Sequence, residues 1–149
     1  RQALMDLLAP RGPVYQAGTL AGHPLAMAAG MATLDTLKSL RPYPTLAKRT
    51  HTLAEGIREA ASASRIPVQV NAYASLVSCF FTDEPVTQFQ VAQRSNTARY
   101  SRFFQAMLEQ RILLPPSPFE SWFVSQAHGP RELALTQQAV AHALTRVES

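Results

Sequence analysis

Val14-Tyr-Gln-Ala-Gly-Thr-Leu-Ala-Gly-His-Pro-Leu-Ala-Met-Ala-Ala-Gly30 joins a glycine-punctuated turn, carrying Thr19, to a helix that opens at Pro24. Proline suits the first helical position because the N–H it lacks would have had no partner inside the helix. The residues that follow, among them Leu25, Met27, Ala28 and Met31, are apolar on nearly every side. That pattern marks a helix buried between layers rather than one with a wet face. A turn feeding a helix start also offers free backbone N–H groups, a hydroxyl and the positive end of the helix dipole. Together these suit an anion such as a phosphate. On spacing alone the same residues make an ordinary helix beginning, and both readings stand at this point.

Working outward, the helix is expected to run from Pro24 to about Leu40, with Arg41-Pro42 just past its end, and Gln2 to Leu8 reads as the end of an earlier helix. Pro42-Tyr43-Pro44 breaks the pattern and divides the chain into 1–41 and 42–149. A second helix is expected from about Thr45 to Ser64, with Leu46, Leu53, Ile57 and Ala60 on one face. Val68 to Val70 and Leu76 to Phe81 read as strands joined by the turn-prone stretch Asn71 to Ser75. Tyr100, Phe103, Phe104, Met107 and Leu108 follow i, i+3, i+4, i+7, i+8, which predicts an amphipathic helix over about Asn96 to Gln110. Ile112 to Leu114 and Trp122 to Val124 read as two short strands around a proline-rich turn, and a last helix begins near Pro130. After Pro44 this order of helix, two strands, helix, two strands, helix describes an α+β domain, with helices on one face of a small, mostly antiparallel sheet.

Composition narrows the function classes. Of 149 residues, 46% are hydrophobic and 16% charged, so much of the surface is expected to be covered. The net charge of +4 comes from dispersed arginines rather than a basic block, which argues against a nucleic-acid partner. No apolar stretch reaches membrane-spanning length and no signal peptide is visible, so no membrane association is expected. The single Cys79 excludes an internal disulfide framework and suits a reducing compartment such as the cytoplasm. Lying in the apolar run Leu76 to Phe81, it reads as a buried strand thiol rather than a nucleophile. His23, His51, His128 and His142 show no metal-ligand spacing, so no metal is expected. The serines Ser117, Ser121 and Ser125 sit in no nucleophile-elbow context.

The string Tyr15-Gln16-Ala17-Gly18-Thr19-Leu20-Ala21-Gly22-His23-Pro24 resembles a segment of the glutamate-1-semialdehyde aminomutase branch of the class-III aminotransferases. These are fold-type I enzymes dependent on pyridoxal 5'-phosphate. Phe80, Phe81, Thr82, Asp83, Pro85 and Val86 look like the strand of that family and the loop after it. Leu114-Pro-Pro-Ser-Pro-Phe-Glu-Ser-Trp-Phe-Val-Ser-Gln-Ala-His128 looks like its Pro-Ser-x-Phe-Glu-x-x-Phe segment. Many aminomutases carry Ser and Asn where this chain has Ala21 and His23, and commonly Gly where it has Ala74. The resemblance spreads over nearly the whole chain. It implies that residues 1–41 close a large cofactor-binding domain and its connecting helix, and that 42–149 form the small C-terminal domain.

The resemblance also assigns roles. Gly18 and Thr19 would bind the cofactor phosphate of a neighbouring subunit, so a homodimer is implied. Glu120 would face the active site, where many relatives of the wider class place an arginine that meets a substrate carboxylate. A carboxylate there would pair with substrate amino groups and disfavour a second substrate carboxylate. Read by itself, a glutamate in a proline-rich loop is a solvated one. The chain has only two lysines, Lys38 and Lys48, and neither resembles the family's Schiff-base lysine, which lies upstream of the Gly-Thr turn. No catalytic residue is therefore assigned within the chain, which begins at Arg1 and is expected to be a fragment, inactive by itself. The implied reaction is the isomerisation of glutamate 1-semialdehyde to 5-aminolevulinate in tetrapyrrole synthesis. An ω-amine or β-amino-acid transaminase of the same class is the nearer alternative, and a non-catalytic α+β binding or dimerisation module the more distant one.

Overall fold

The computed structural model describes residues 1–147, so the last two residues of the 42–149 stretch lie outside the described residues. The chain forms two compact units, Arg1–Arg41 and the remainder from Pro42 on. In the first, α1 (Gln2–Met5) leads through a looped stretch to α2 (Pro24–Leu40). The expected helix to Leu8 stops at Met5. Beyond it Leu8 bridges to Val14, and the chain passes so close to itself that a side chain at Gly12 would strike the Leu7 backbone at 2.3 Å. Helix α2 has Pro24 at its start and ends at Arg41, whose left-handed backbone (φ 45°) returns its N–H to Leu37 O.

The second unit holds α3 (Tyr43–Ser64), β1 (Gln69–Tyr73), β2 (Leu76–Phe80), α4 (Phe89–Gln93), α5 (Thr97–Glu109), β3 (Trp122–Phe123) and α6 (Pro130–Leu144). This is an α+β fold around an antiparallel sheet of order β1-β2-β3. The expected strand at Ile112–Leu114 does not form. An apolar run cannot be told from a strand by composition, and these residues have no ladder partner. Helix α4 is an addition that a five-residue stretch with two glutamines and no repeated apolar period did not signal. The β1–β2 turn is also tighter than expected. Strand pairing continues to Tyr73↔Leu76, leaving only Ala74 and Ser75 as the loop.

Register decides the faces. Val70, Cys79, Val77 and Trp122 share one face through the pairs Val70↔Cys79 and Val77↔Trp122, and all four are buried under the helices. Asn71 and Ser78 share the opposite face, as do Tyr73, Leu76 and Phe123. Helix α3 packs on α6 and β1, and α5 packs on α6. An aromatic cluster fills the centre: Phe103 stacks on Trp122 (6.3 Å, 12° between planes) and meets Phe81 edge-on at 5.5 Å. Caps fix the helix ends. Asn96 Oδ1 accepts the Arg99 N–H at 2.8 Å to start α5, and Gly129 N–H donates to Glu132 Oε2 at 2.9 Å to start α6.

Candidate functional site

The Gly18–Thr19 pair lies in the turn that delivers α2. Ala21 N–H donates to Gly18 O at 3.0 Å and His23 N–H to Leu20 O at 3.1 Å, so two overlapping turns fold the chain into the helix start. Gly22 takes the left-handed conformation between them (φ 74°), and His23 caps α2 with extended backbone before Pro24. Both Gly18 and Thr19 are exposed. Among the described residues neither the Thr19 hydroxyl nor the N–H groups of Gly18, Thr19 and Gly22 has an acceptor. A hydroxyl and several uncommitted amides at the positive end of a 17-residue helix form a donor set that fits a phosphate dianion.

Glu120 belongs to the second unit, in the stretch between α5 and β3. Its surroundings are well tied. The Tyr100 hydroxyl, on α5, donates to Pro115 O at 2.8 Å. Ser117 then turns the chain, its Oγ accepting the Phe119 N–H and its carbonyl the Glu120 N–H, each at 3.2 Å. The Phe119 ring meets Phe89 of α4 edge-on at 6.1 Å, and Ser121 Oγ lies 3.0 Å from Ser78 Oγ of β2. Trp122 then drops into the core at 5% exposure. The Glu120 carboxylate itself is exposed and forms no ion pair among the described residues.

Two groups beneath this loop are electrostatically perturbed. Burial pushes the Tyr100 phenol up to about 12, with the Glu120 carboxylate and, at the alkaline pH where it ionises, Cys79 adding to the rise. The Trp122 indole N–H works against it, yet closes no hydrogen bond of ordinary geometry and stays, among the described residues, a buried donor without a partner. Burial likewise pushes the Cys79 thiol up to about 12, opposed by the Arg58 guanidinium. A thiol held neutral and covered has no nucleophilic character at ordinary pH. Lys48 is exposed on α3, and Lys38 sits in the last turn of α2. Among the described residues there is no cluster of three or more His, Cys, Asp or Glu able to hold a metal ion. Among the same residues no helix is long and apolar enough to cross a membrane.

Known proteins place these features in one family context. No family model matches the chain. A glutamate-1-semialdehyde 2,1-aminomutase from Syntrophus aciditrophicus is 46% identical over 145 residues, 97% of this chain and 34% of the relative. One from Thermomicrobium roseum is 46% identical over 147 residues, 99% of this chain and 34% of the relative. Along nearly its whole length the chain is thus similar to one portion of these glutamate-1-semialdehyde 2,1-aminomutases. It spans about a third of the length of the curated aminomutases it matches. The fold is that of aminotransferases. An ω-transaminase from Sphaerobacter thermophilus aligns with a TM-score of 0.80 over 98% of this chain and 34% of its own, at 24% identity. A β-phenylalanine aminotransferase from Variovorax paradoxus gives 0.72 over 95% and 33%, at 23% identity.

The sequence resemblance singled out Gly18, Thr19 and Glu120, and the structure puts the first two in one turn and the third in a braced loop of the other unit. It passed over Ser78 and Phe89, the two residues that brace this loop from β2 and α4. A lone hydroxyl within Leu76 to Phe81 was the available signal for Ser78. A lone aromatic between Gln88 and Gln90 was the signal for Phe89.

Proposed function

We propose that the protein carrying this segment is a glutamate-1-semialdehyde 2,1-aminomutase, isomerising glutamate 1-semialdehyde to 5-aminolevulinate in tetrapyrrole synthesis. The observation that carries this reading is 46% identity to named aminomutases sustained along 97% of the chain, the Gly18-Thr19 turn and the Glu120 loop included. Pyridoxal 5'-phosphate, when bound, supplies the electron-withdrawing ring through which an amino group can move between carbons. Thr19 would hold its phosphate with hydroxyl and amide donors, contributed to the neighbouring subunit of a homodimer. Gly18 would keep the approach to that phosphate clear of a side chain. Glu120 would offer its unpaired carboxylate to substrate amino groups and discriminate against a second carboxylate. The single free thiol, Cys79, supports a cytoplasmic setting.

The test is made on the full-length protein. It is expected to bind pyridoxal phosphate, seen as cofactor absorbance, and to form 5-aminolevulinate from glutamate 1-semialdehyde. Thr19→Ala should weaken cofactor affinity by about tenfold, the scale of one charge-assisted hydrogen bond. Glu120→Gln should raise KM while leaving the absorbance unchanged. The 149-residue chain by itself should turn over no substrate. Amine transfer to a keto acid without 5-aminolevulinate would move the protein to the transaminases, and a colourless full-length protein would overturn the cofactor assignment.

A further inference from the structure

We propose that Ser78 and Phe89 are positioning residues for Glu120, an inference that rests on reading Glu120 as the substrate-facing carboxylate. The argument begins with register. β2 and β3 pair as Leu76↔Phe123 and Val77↔Trp122, so the next antiparallel partner of Ser78 is Ser121. Their hydroxyl oxygens are 3.0 Å apart, which makes the contact a cross-strand link continuing the ladder one residue past its last backbone pair. Glu120 is the first residue beyond that link. On its other side Phe119 is held by Phe89 at 6.1 Å and 62°, an edge-to-face pair between the Glu120 loop and the first residue of α4.

The two contacts differ from the packing around them. The remaining anchors of this stretch, Tyr100 to Pro115 and Trp122 on Phe103, belong to the core and hold the loop's ends. The Ser117 turn is internal to the loop and fixes its curvature without fixing its place. Beyond that turn, whose Ser117 Oγ also accepts the Phe119 N–H, the Ser78 and Phe89 contacts grip the residues immediately on either side of Glu120. Both grips come from elements distant in sequence. They are also dispensable to the core. Phe89 and Phe119 are 62% and 47% exposed, and Ser78 points to the sheet face opposite the helices. Two contacts that add little burial, placed on either side of one carboxylate, restrict where that carboxylate can go. A restricted carboxylate meets a substrate amino group at lower entropic cost than one on a free loop.

The experiment is a set of double-mutant cycles in the full-length enzyme. KM and kcat for glutamate 1-semialdehyde, and the calorimetric Kd for 5-aminolevulinate, are measured for Ser78→Ala, Phe89→Leu and Glu120→Gln and for each of the first two combined with the third. Ser78→Ala and Phe89→Leu should each raise KM and Kd about fivefold with kcat nearly constant, and the effect should disappear when Glu120 is already Gln. Ser78→Thr and Phe89→Tyr, which keep the hydroxyl and the ring, should restore affinity. Effects that persist undiminished in the Glu120→Gln background would overturn the proposal, because the residues would then act through the domain and not through Glu120. Unchanged KM and Kd in both single variants would overturn it as well. If Glu120→Gln alone changes nothing, the reading of Glu120 fails and the proposal fails with it, a result distinct from additive cycles. Should a variant not fold, Phe119→Leu and Ser121→Ala test the same two contacts from the loop side.

Discussion

Ala74 occupies the first position of the two-residue β1–β2 loop with φ at 51°, a conformation an L side chain adopts at a cost of about 1–2 kcal/mol. A glycine adopts it freely but loses about 0.5–1 kcal/mol more chain entropy on folding. Ala74→Gly is therefore expected to stabilise the domain by about 0.5–1 kcal/mol, read as a higher urea midpoint at unchanged m-value. A lower midpoint would show that the alanine is accommodated without strain. The sequence marked Ala74 as a departure without showing its backbone, because whether the loop held two residues or five depended on strand pairing beyond any local pattern. Cys79 was legible as buried from its apolar neighbours, and its titration follows. Folding raises Cys79 from 9.0 and Tyr100 from 10.0, each to about 12. Their contribution to stability is therefore complete below about pH 9 and is lost as pH rises from there towards 12. Urea midpoints measured from pH 7 to 11 should fall only on the alkaline side, and Cys79→Ala should make that fall shallower. A midpoint that rises between pH 9 and 11 would contradict the sign.

At the scale of elements, α5 shows how far periodicity reaches. The spacing of Tyr100, Phe103, Phe104, Met107 and Leu108 predicted the helix; the structure buries Tyr100, Phe103 and Met107 to 1%, 2% and 0% exposure but leaves Phe104 half-buried and Leu108 exposed at the rim of that face. What spacing could not supply was the partner of each. Phe103 is the common neighbour of Phe81, Tyr100 and Trp122, three residues drawn from β2's end, α5 itself and β3. Phe103→Ala should accordingly cost about 3–5 kcal/mol, since the ring's removal leaves a cavity bounded by rings that cannot close in. A loss under 1 kcal/mol in urea unfolding would mean that the cluster relaxes around the gap. The same comparison explains the misread element. Ile112 to Leu114 has a strand's composition, but a strand exists only where a neighbouring edge accepts it, and the sheet is paired through Trp122 and Phe123 instead. The Glu120 loop was recognisable from its proline-rich string, whereas its braces came from β2 and α4, about 30–40 residues earlier, and local sequence carries no trace of that distance.

At the scale of the molecule, Pro42 separates two stretches of different physical character. Every buried residue among those described lies at Pro42 or beyond, and none of residues 1–41 is buried. The later unit contains its own closed core, from Leu53 and Ile57 on α3 to Val140 and Leu144 on α6, around a paired sheet. The earlier one presents Leu25, Met27 and Met31 of α2 at 73%, 55% and 64% exposure, the same residues whose all-round apolar pattern read as a buried helix. The pattern was legible because it reflects what such a helix needs; the covering surface was not, because it lies in no residue of the helix. A helix of this length receives too little from its own hydrogen bonds to persist in water without a packed face. The piece from Pro42 to Ser149 should thus unfold cooperatively in urea as a separate protein, with coincident circular dichroism and Trp122 fluorescence transitions. A peptide of residues 1–41 should show little helix. Broad, non-coincident transitions in the first piece would mean that its core is not self-sufficient, and a strongly helical peptide would mean that α2 is held by its own propensity rather than by burial.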